Sequence, residues 1–160
     1  LYEAIKNQEG SMQVSEILAV KGQVLFTIAP GKTLADAVAI MTGQDVGSLV
    51  VFDAGRMVGM LTFREVLKAV QQGGAAWGSM AISGVMVHEP VVAGPEMEVD
   101  DLRRLMIEHH MRYLPVMDGG TLMGVISFHD VARAVLEEQS FENRMLKAYI
   151  RDWPAEAGGS

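Results

Sequence analysis

Apolar positions recur along the chain at two alternating periods. Residues 24–28 (Val-Leu-Phe-Thr-Ile) are rich in strand formers and close on Pro30-Gly31, which predicts a strand. From Thr33 the period changes to that of a helix. Leu34, Val38 and Met41 share a face, Thr33 offers a capping hydroxyl and Asp36 an acid three residues on. Gly43 lies near the end of that helix. Residues 48–52 and 57–61 are apolar runs joined by Asp53-Ala54-Gly55, a hairpin pattern. Residues 62–72 return to helical spacing and stop at Gly73-Gly74. A short helical turn over residues 14–18 precedes the set.

The same order then repeats. Gly59-Met-Leu-Thr62-Phe-Arg64-Glu65-Val66 returns 65 positions later (124 − 59 = 65) as Gly124-Val-Ile-Ser127-Phe-His129-Asp130-Val131. Pro30/Pro95, Asp36/Asp101, Met41/Met106, Leu49/Leu114, Val51/Val116, Asp53/Asp118 and Gly55/Gly120 keep that register without a gap. The second unit therefore reads as a strand around Val91 and Val92, a helix over about residues 99–110, a hairpin of 113–117 and 122–126 about Asp118-Gly119-Gly120, and a helix from Phe128. Pro115 has no N–H for a ladder, so its strand is expected at an edge or locally unpaired. A repeat of this length is too long for a solenoid unit and too short for an independent domain. The expected fold is α/β (α+β): two β-α-β-β-α units packed face to face about a pseudo-twofold axis, with clefts between them. The expected divisions are an N-terminal arm or expression remnant (1–13), first unit (14–72), linker (73–79), second unit (80–139), a helical extension carrying Phe141, Met145 and Tyr149 (140–153), and a disordered tail (154–160). Met12 reads as a natural start, and Pro154 as the helix stop.

Composition narrows the function. At 160 residues and 49% hydrophobic, the chain has material for one good core. The absence of cysteine excludes disulfides, thiolate catalysis and cysteine-ligated zinc, and fits a cytoplasmic location. A formal charge of −7 disfavours nucleic acid and anionic membranes, while leaving room for one small phosphorylated ligand held by local cations. No apolar run reaches the roughly 18 residues of a membrane span. The twelve methionines read mostly as core filler.

The informative chemistry is Ser127-Phe-His129-Asp130 at a strand-to-helix junction. A helix start offers unpaired amides and a positive dipole end, which suit a phosphate, and a hydroxyl there donates to a phosphate oxygen. Asp130 can accept from a cis-diol, and His129 and Arg112 add cationic or switchable donors. Ser-x-x-Asp and Thr-x-x-Glu at a helix start are also ordinary capping boxes, and the two roles can coexist.

Two such units, each with a Gly-h-h-(Ser/Thr)-x-x-acid turn, resemble a pair of CBS domains forming a Bateman module. Arg112-Tyr-Leu-Pro-Val116, Asp118-Gly119-Gly120, Gly124-Val-Ile-Ser127 and Asp130 carry the resemblance, and it spans residues 14–139. It implies a regulatory module, stand-alone and non-catalytic, that binds AMP, ADP or ATP, with S-adenosylmethionine or NAD(H) as other candidates. It also implies a homodimer and a regulated protein partner. By position, Asp130 would hold the ribose, Ser127, Phe128 and His129 would face the phosphate, and Arg112 and Tyr113 would grip it. Thr27 and Ile28, or Val92 and Ala93, would flank adenine; Gly47 and Ser48, or Leu114 and Pro115, would form the wall. Which unit lends which wall to which cleft stays open at this stage. Glu65 stands where a shorter Asp is usual, and Gly47-Ser48 where a basic pair is usual. The resemblance thus makes the Asp130 site the first choice and the Thr62, Arg64, Glu65 site, with Val92 and Ala93, weak or empty. Losing one charge-assisted hydrogen bond costs roughly 1.5–3 kcal/mol, enough to move a micromolar site toward millimolar.

Other chemistry finds less support. Adjacent His109 and His110 point about 100° apart on a helix and share no face, so no metal site is expected. There is no nucleophile elbow, dinucleotide fingerprint or P-loop, and Asp100-Asp101 lies at a helix start where acids are favoured, so no catalytic residue is assigned. Trp77 reads as a packing anchor in the linker. The competing function is a structural dimerisation module with degenerate, unoccupied sites.

Overall fold

The computed structural model describes residues 12–22 and 24–152. Helix α1 (Val14–Lys21) leads into the two-residue strand β1 (Thr27–Ile28), helix α2 (Leu34–Gly43), strands β2 (Ser48–Asp53) and β3 (Arg56–Thr62), and helix α3 (Phe63–Gly73). Two short 3-10 turns, Gly74–Ser79 and Ile82–Gly84, lead to strand β4 (Val87–His88). Helix α4 (Val99–Glu108), strands β5 (Tyr113–Asp118) and β6 (Thr121–Ser127), and the long helix α5 (Phe128–Asp152) complete the second unit. The expected tail, residues 154–160, lies outside the described residues, as do Trp153 and residues 1–11.

Periodicity placed most elements within two residues. Thr33 caps α2 reciprocally with Asp36: the Asp36 amide donates to Thr33 Oγ1 at 3.2 Å and the Thr33 amide to Asp36 Oδ2 at 3.1 Å. Both α2 and α4 end in a six-to-one backbone bond, Val46 N to Met41 O and Met111 N to Met106 O. The left-handed residue of that motif is Asp45 (φ 52°) in one unit and His110 (φ 53°) in the other, where glycine is usual.

The first strand of the second unit is a correction. In the first unit β1 runs parallel to β2, and the Val50 amide donates to Phe26 O at 3.1 Å. Pro115 occupies the position of Val50 (50 + 65 = 115) and has no N–H to give. Only the bonds at Ala93 survive, Ala93 N to Pro115 O and Met117 N to Ala93 O, both 2.9 Å. The expected strand at Val91 and Val92 is therefore a single bridge, Ala93 to Val116. Strand β4, which periodicity did not predict, pairs antiparallel with β3 and completes a sheet ordered β1-β2-β3-β4, while β5 and β6 form a hairpin sheet.

The two units exchange their leading segments. Val14, Ile17 and Leu18 of α1 are buried with Val99, Leu102, Met106, Leu114, Val116, Ile126 and Val131, in the core of the second unit. Ile82 and Met86 are buried with Leu34, Ala37, Leu49, Val51 and Leu61, in the core of the first. Matching bonds fix both crossings: Val14 N to Met97 O and Ser15 N to Pro95 O at 2.9 Å, and Ile82 N to Lys32 O and Ser83 N to Pro30 O at 3.0 Å. Met12 and Gln13, assigned to a loose arm, belong to the fold. The Val99 amide donates to Met12 O at 2.9 Å, and Gln13 bridges Glu98. The linker is ordered as a 3-10 turn whose Trp77 packs on the first core.

Candidate functional site

Each strand-to-helix turn is shaped by its own cap. At the second, the Ser127 amide donates to Asp130 Oδ2 at 2.8 Å and the Asp130 amide to Ser127 Oγ at 3.1 Å. At the first, the Thr62 amide donates to Glu65 Oε2 at 2.8 Å, and the Thr62 hydroxyl donates to the same oxygen. The longer Glu65 side chain takes the cap hydroxyl as well as the cap amide, whereas Asp130 takes the amide. The capping role is real in both turns, and in both it fixes the hydroxyl at a cleft, with Glu65 beside it in one and Asp130 behind it in the other.

The first cleft, of about 850 Å³, joins the leading edge of the first unit to the turn of the second. Val24, Leu25, Phe26, Gly47 and Ser48 come from one side, and Ser127, Phe128, His129 and Ala132 from the other. Lys21, Asp45, Arg112 and Tyr113 complete the rim. An apolar slot thus meets the positive end of α5, next to a hydroxyl and two fixed cations, a combination suited to a flat ring carrying an anionic arm.

Lys21 is the residue that sequence reasoning missed. Its ammonium reaches from the end of α1 to Asp130 Oδ2 at 2.6 Å and to Val125 O at 2.7 Å. Partial burial works to raise the Asp130 carboxyl. The Lys21 ammonium and the Ser127 amide and hydroxyl outweigh it, so the group sits below its ordinary value. One carboxylate oxygen is thereby shared between cap and lysine.

The second cleft, of about 1070 Å³, has the complementary composition. Thr62, Arg64, Glu65 and Lys68 of the first unit face Glu89, Pro90, Val91, His109 and His110 of the second. The leading segments correspond with an offset of 68 (82 − 14 = 68), from the matching bonds of Val14 and Ile82. By that offset Glu89 holds the sequence position of Lys21 (21 + 68 = 89), though it follows strand β4 rather than ending a helix. Where the first cleft pairs a lysine with an aspartate, the second is bordered by two glutamates together with Arg64, Lys68 and Arg112.

Phe63, Arg112, Tyr113 and Phe128 border both clefts and form the wall between them. Phe63 and Tyr113 meet edge to face at 6.2 Å, and the Arg112 guanidinium lies over the Phe63 ring at 5.2 Å. Gly47 makes the wall possible: a Cβ there would lie 1.9 Å from Tyr113 Oη. The paired backbone bonds Phe63 N to Gly47 O, 3.1 Å, and Phe128 N to Arg112 O, 2.7 Å, hold the wall in place.

Comparison with known proteins agrees with the repeat. The family model "CBS domain" matches residues 14–72 and again 82–137. The chain belongs to the CBS-domain family. It is 33% identical over 115 residues to the CBS domain-containing protein YhcV of Bacillus subtilis, a match covering 71% of this chain and 81% of YhcV. The crystal structure of the CBS-domain containing protein ATU1752 from Agrobacterium tumefaciens superposes with a TM-score of 0.74 at 31% identity, over 77% of this chain and 98% of that one. CBSX2, solved in complex with AMP, shares the fold at 24% identity with a TM-score of 0.68, over 79% of this chain and 98% of that one.

Within this CBS pair, the residues expected around Asp130 divide. Ser127, Phe128, His129, Arg112, Tyr113, Gly47 and Ser48 border the first cleft, and Asp130 stands behind it on Lys21. Thr27 and Ile28 do not border it. Ile28 is buried in the first core, and residues 24–26, just before the strand, take the place expected for them. Pro115 borders the second cleft, as its counterpart Val50 borders the first. Thr62, Arg64 and Glu65 border the second cleft; Val92 and Ala93 do not. Ala93 is fully buried beneath Pro115 and Met117, and Val91 takes the wall position. Pleat direction, which a two-residue strand leaves undetermined in sequence, decided these shifts. Among the described residues no group of His, Asp and Glu is arranged to hold a metal, and no helix is long and apolar enough to cross a membrane.

Proposed function

We propose that this CBS pair is a non-catalytic regulatory module that binds an adenosine-containing nucleotide of the AMP, ADP or ATP class in the first cleft. The observation that carries the reading is the convergence there of an apolar slot at residues 24–26 with Ser127, His129, Arg112 and Lys21 around a helix start. Adenine stacks in the slot, the ribose hydroxyls meet Asp130, and the phosphate meets the α5 amides, Ser127 and Arg112. S-adenosylmethionine and NAD(H) present the same adenosyl group and belong in the screen. AMP in the CBSX2 structure supports the class. The second cleft, with Glu65 and Glu89 at its turn, is the weak or empty one. Ligand binding acts on a regulated protein by favouring one tilt of the two units, to the extent that the ligand binds that tilt better. Cytoplasm is the proposed location.

The second reading, a structural dimerisation module, is favoured by one feature: Leu136, Phe141, Met145 and Ile150 of α5 are exposed apolar residues. Titration calorimetry of protein stripped of carried-over nucleotide separates the two. Saturable AMP or ATP binding near one site per chain, weakened at least about tenfold by Asp130→Ala, supports the sensor. Absence of heat with every adenosyl ligand supports the structural module.

A further inference from the structure

We propose that Lys21, on the helix that the first unit lends to the second, is the residue that makes the first cleft selective for an anionic adenosyl ligand. The inference rests on the nucleotide reading above and adds the charge of the ligand to it. The lysine borders the cleft, with its side chain one-third exposed. An ammonium has three donors. Two are committed, to Val125 O at 2.7 Å and Asp130 Oδ2 at 2.6 Å, which leaves one N–H on a rigidly held cation for a ligand oxygen.

The electrostatics point the same way. Asp130, with a side chain only 20% exposed, would present an uncompensated negative charge to any phosphate entering the cleft. Lys21 cancels that charge while keeping the carboxylate ionised and oriented by the Ser127 amide. Asp45 is the acid in the cleft lining itself, and Arg112 in the same lining offsets its formal charge. With Lys21 in place the phosphate meets no net negative wall; without it the cleft favours a neutral or cationic adenosyl compound. The second cleft is built differently: Glu65 and Glu89 border it together with Arg64, Lys68 and Arg112, and no lysine–aspartate pair is present among its described lining residues.

The test compares AMP with adenosine, which differ in the phosphate alone, on wild type, Lys21→Met and Lys21→Arg. Calorimetry on the stripped full chain is expected to show Lys21→Met weakening AMP by about tenfold or more while changing adenosine by less than about threefold. Lys21→Arg is expected to retain the preference for AMP. Equal weakening of both ligands makes Lys21 a structural support only and overturns the proposal. Equal strengthening makes it a plug on Asp130 and overturns it as well. Unchanged affinities overturn the Lys21 role while leaving the nucleotide site intact. Failure of wild type to bind either ligand overturns the underlying nucleotide reading itself, so the two failures are distinct. Val14, Ile17 and Leu18 anchor α1 independently of the lysine, so the variants are expected to unfold with wild-type cooperativity.

Discussion

The two clefts are built from the same parts in the same order, yet they differ in the groups that decide chemistry. Ser127 and Asp130 stand at the repeat positions of Thr62 and Glu65, and Lys21 borders the first cleft while Glu89 borders the second. Gly47 and Arg112 are likewise paired (47 + 65 = 112), one giving space and the other a guanidinium. The hairpins and the capped strand-to-helix turns are alike in the two units, while the charged side chains around them differ. In such a repeat the duplicated caps and turns preserve the fold, and each cleft's ligand is set by a few side chains that the caps leave at the rim.

The largest expected effect breaks the idea that the units are separable. Ile82 lies in the second unit's sequence but is fully buried in the first core. Ile82→Ala is expected to lower stability by about 2–5 kcal/mol, read as a shift of the urea midpoint. A loss below about 1 kcal/mol would mean that the exchanged segment is not part of that core.

Next in size is the wall between the clefts. Gly47→Val drives a side chain into Tyr113, and overpacking of this kind costs about 1–3 kcal/mol. At the paired position, Arg112→Ala removes a cation–π contact worth about 0.5–1 kcal/mol at an exposed site. Thermal unfolding of the two variants ranks them. If Tyr113→Ala added to Gly47→Val failed to recover part of the loss, the close approach would not be its cause.

The last effect, comparable to that of Arg112→Ala, concerns acid. The folded Asp130 carboxyl lies below its ordinary 3.8, so its contribution is fully present above the unfolded value and disappears as pH falls through the folded one. For a partly exposed pair this contribution is on the order of 1 kcal/mol after solvent screening. Urea midpoints between about pH 6 and pH 3 should fall more steeply in wild type than in Asp130→Asn. Identical slopes would show that the Lys21 pair does not form in solution.

The repeat, the caps at Thr33, Thr62 and Ser127, both hairpins and the long last helix were legible in the sequence, because each depends on residues at most a few positions apart. So was the choice of Ser127, His129 and Arg112 for one cleft. The exchange of α1, the loss of the Val91-Val92 strand and the place of Lys21 were not. Lys21 and Asp130 are 109 positions apart, and nothing in the local pattern of either residue signals the other. Pro115 announced a missing donor, but the sequence could not tell which partner would lose its bond. Sequence alone determined the elements and the caps that end them. Tertiary structure decided which unit's edge meets which unit's turn, and therefore which charges share a cleft, because a through-space ion pair depends on packing rather than on chain neighbours.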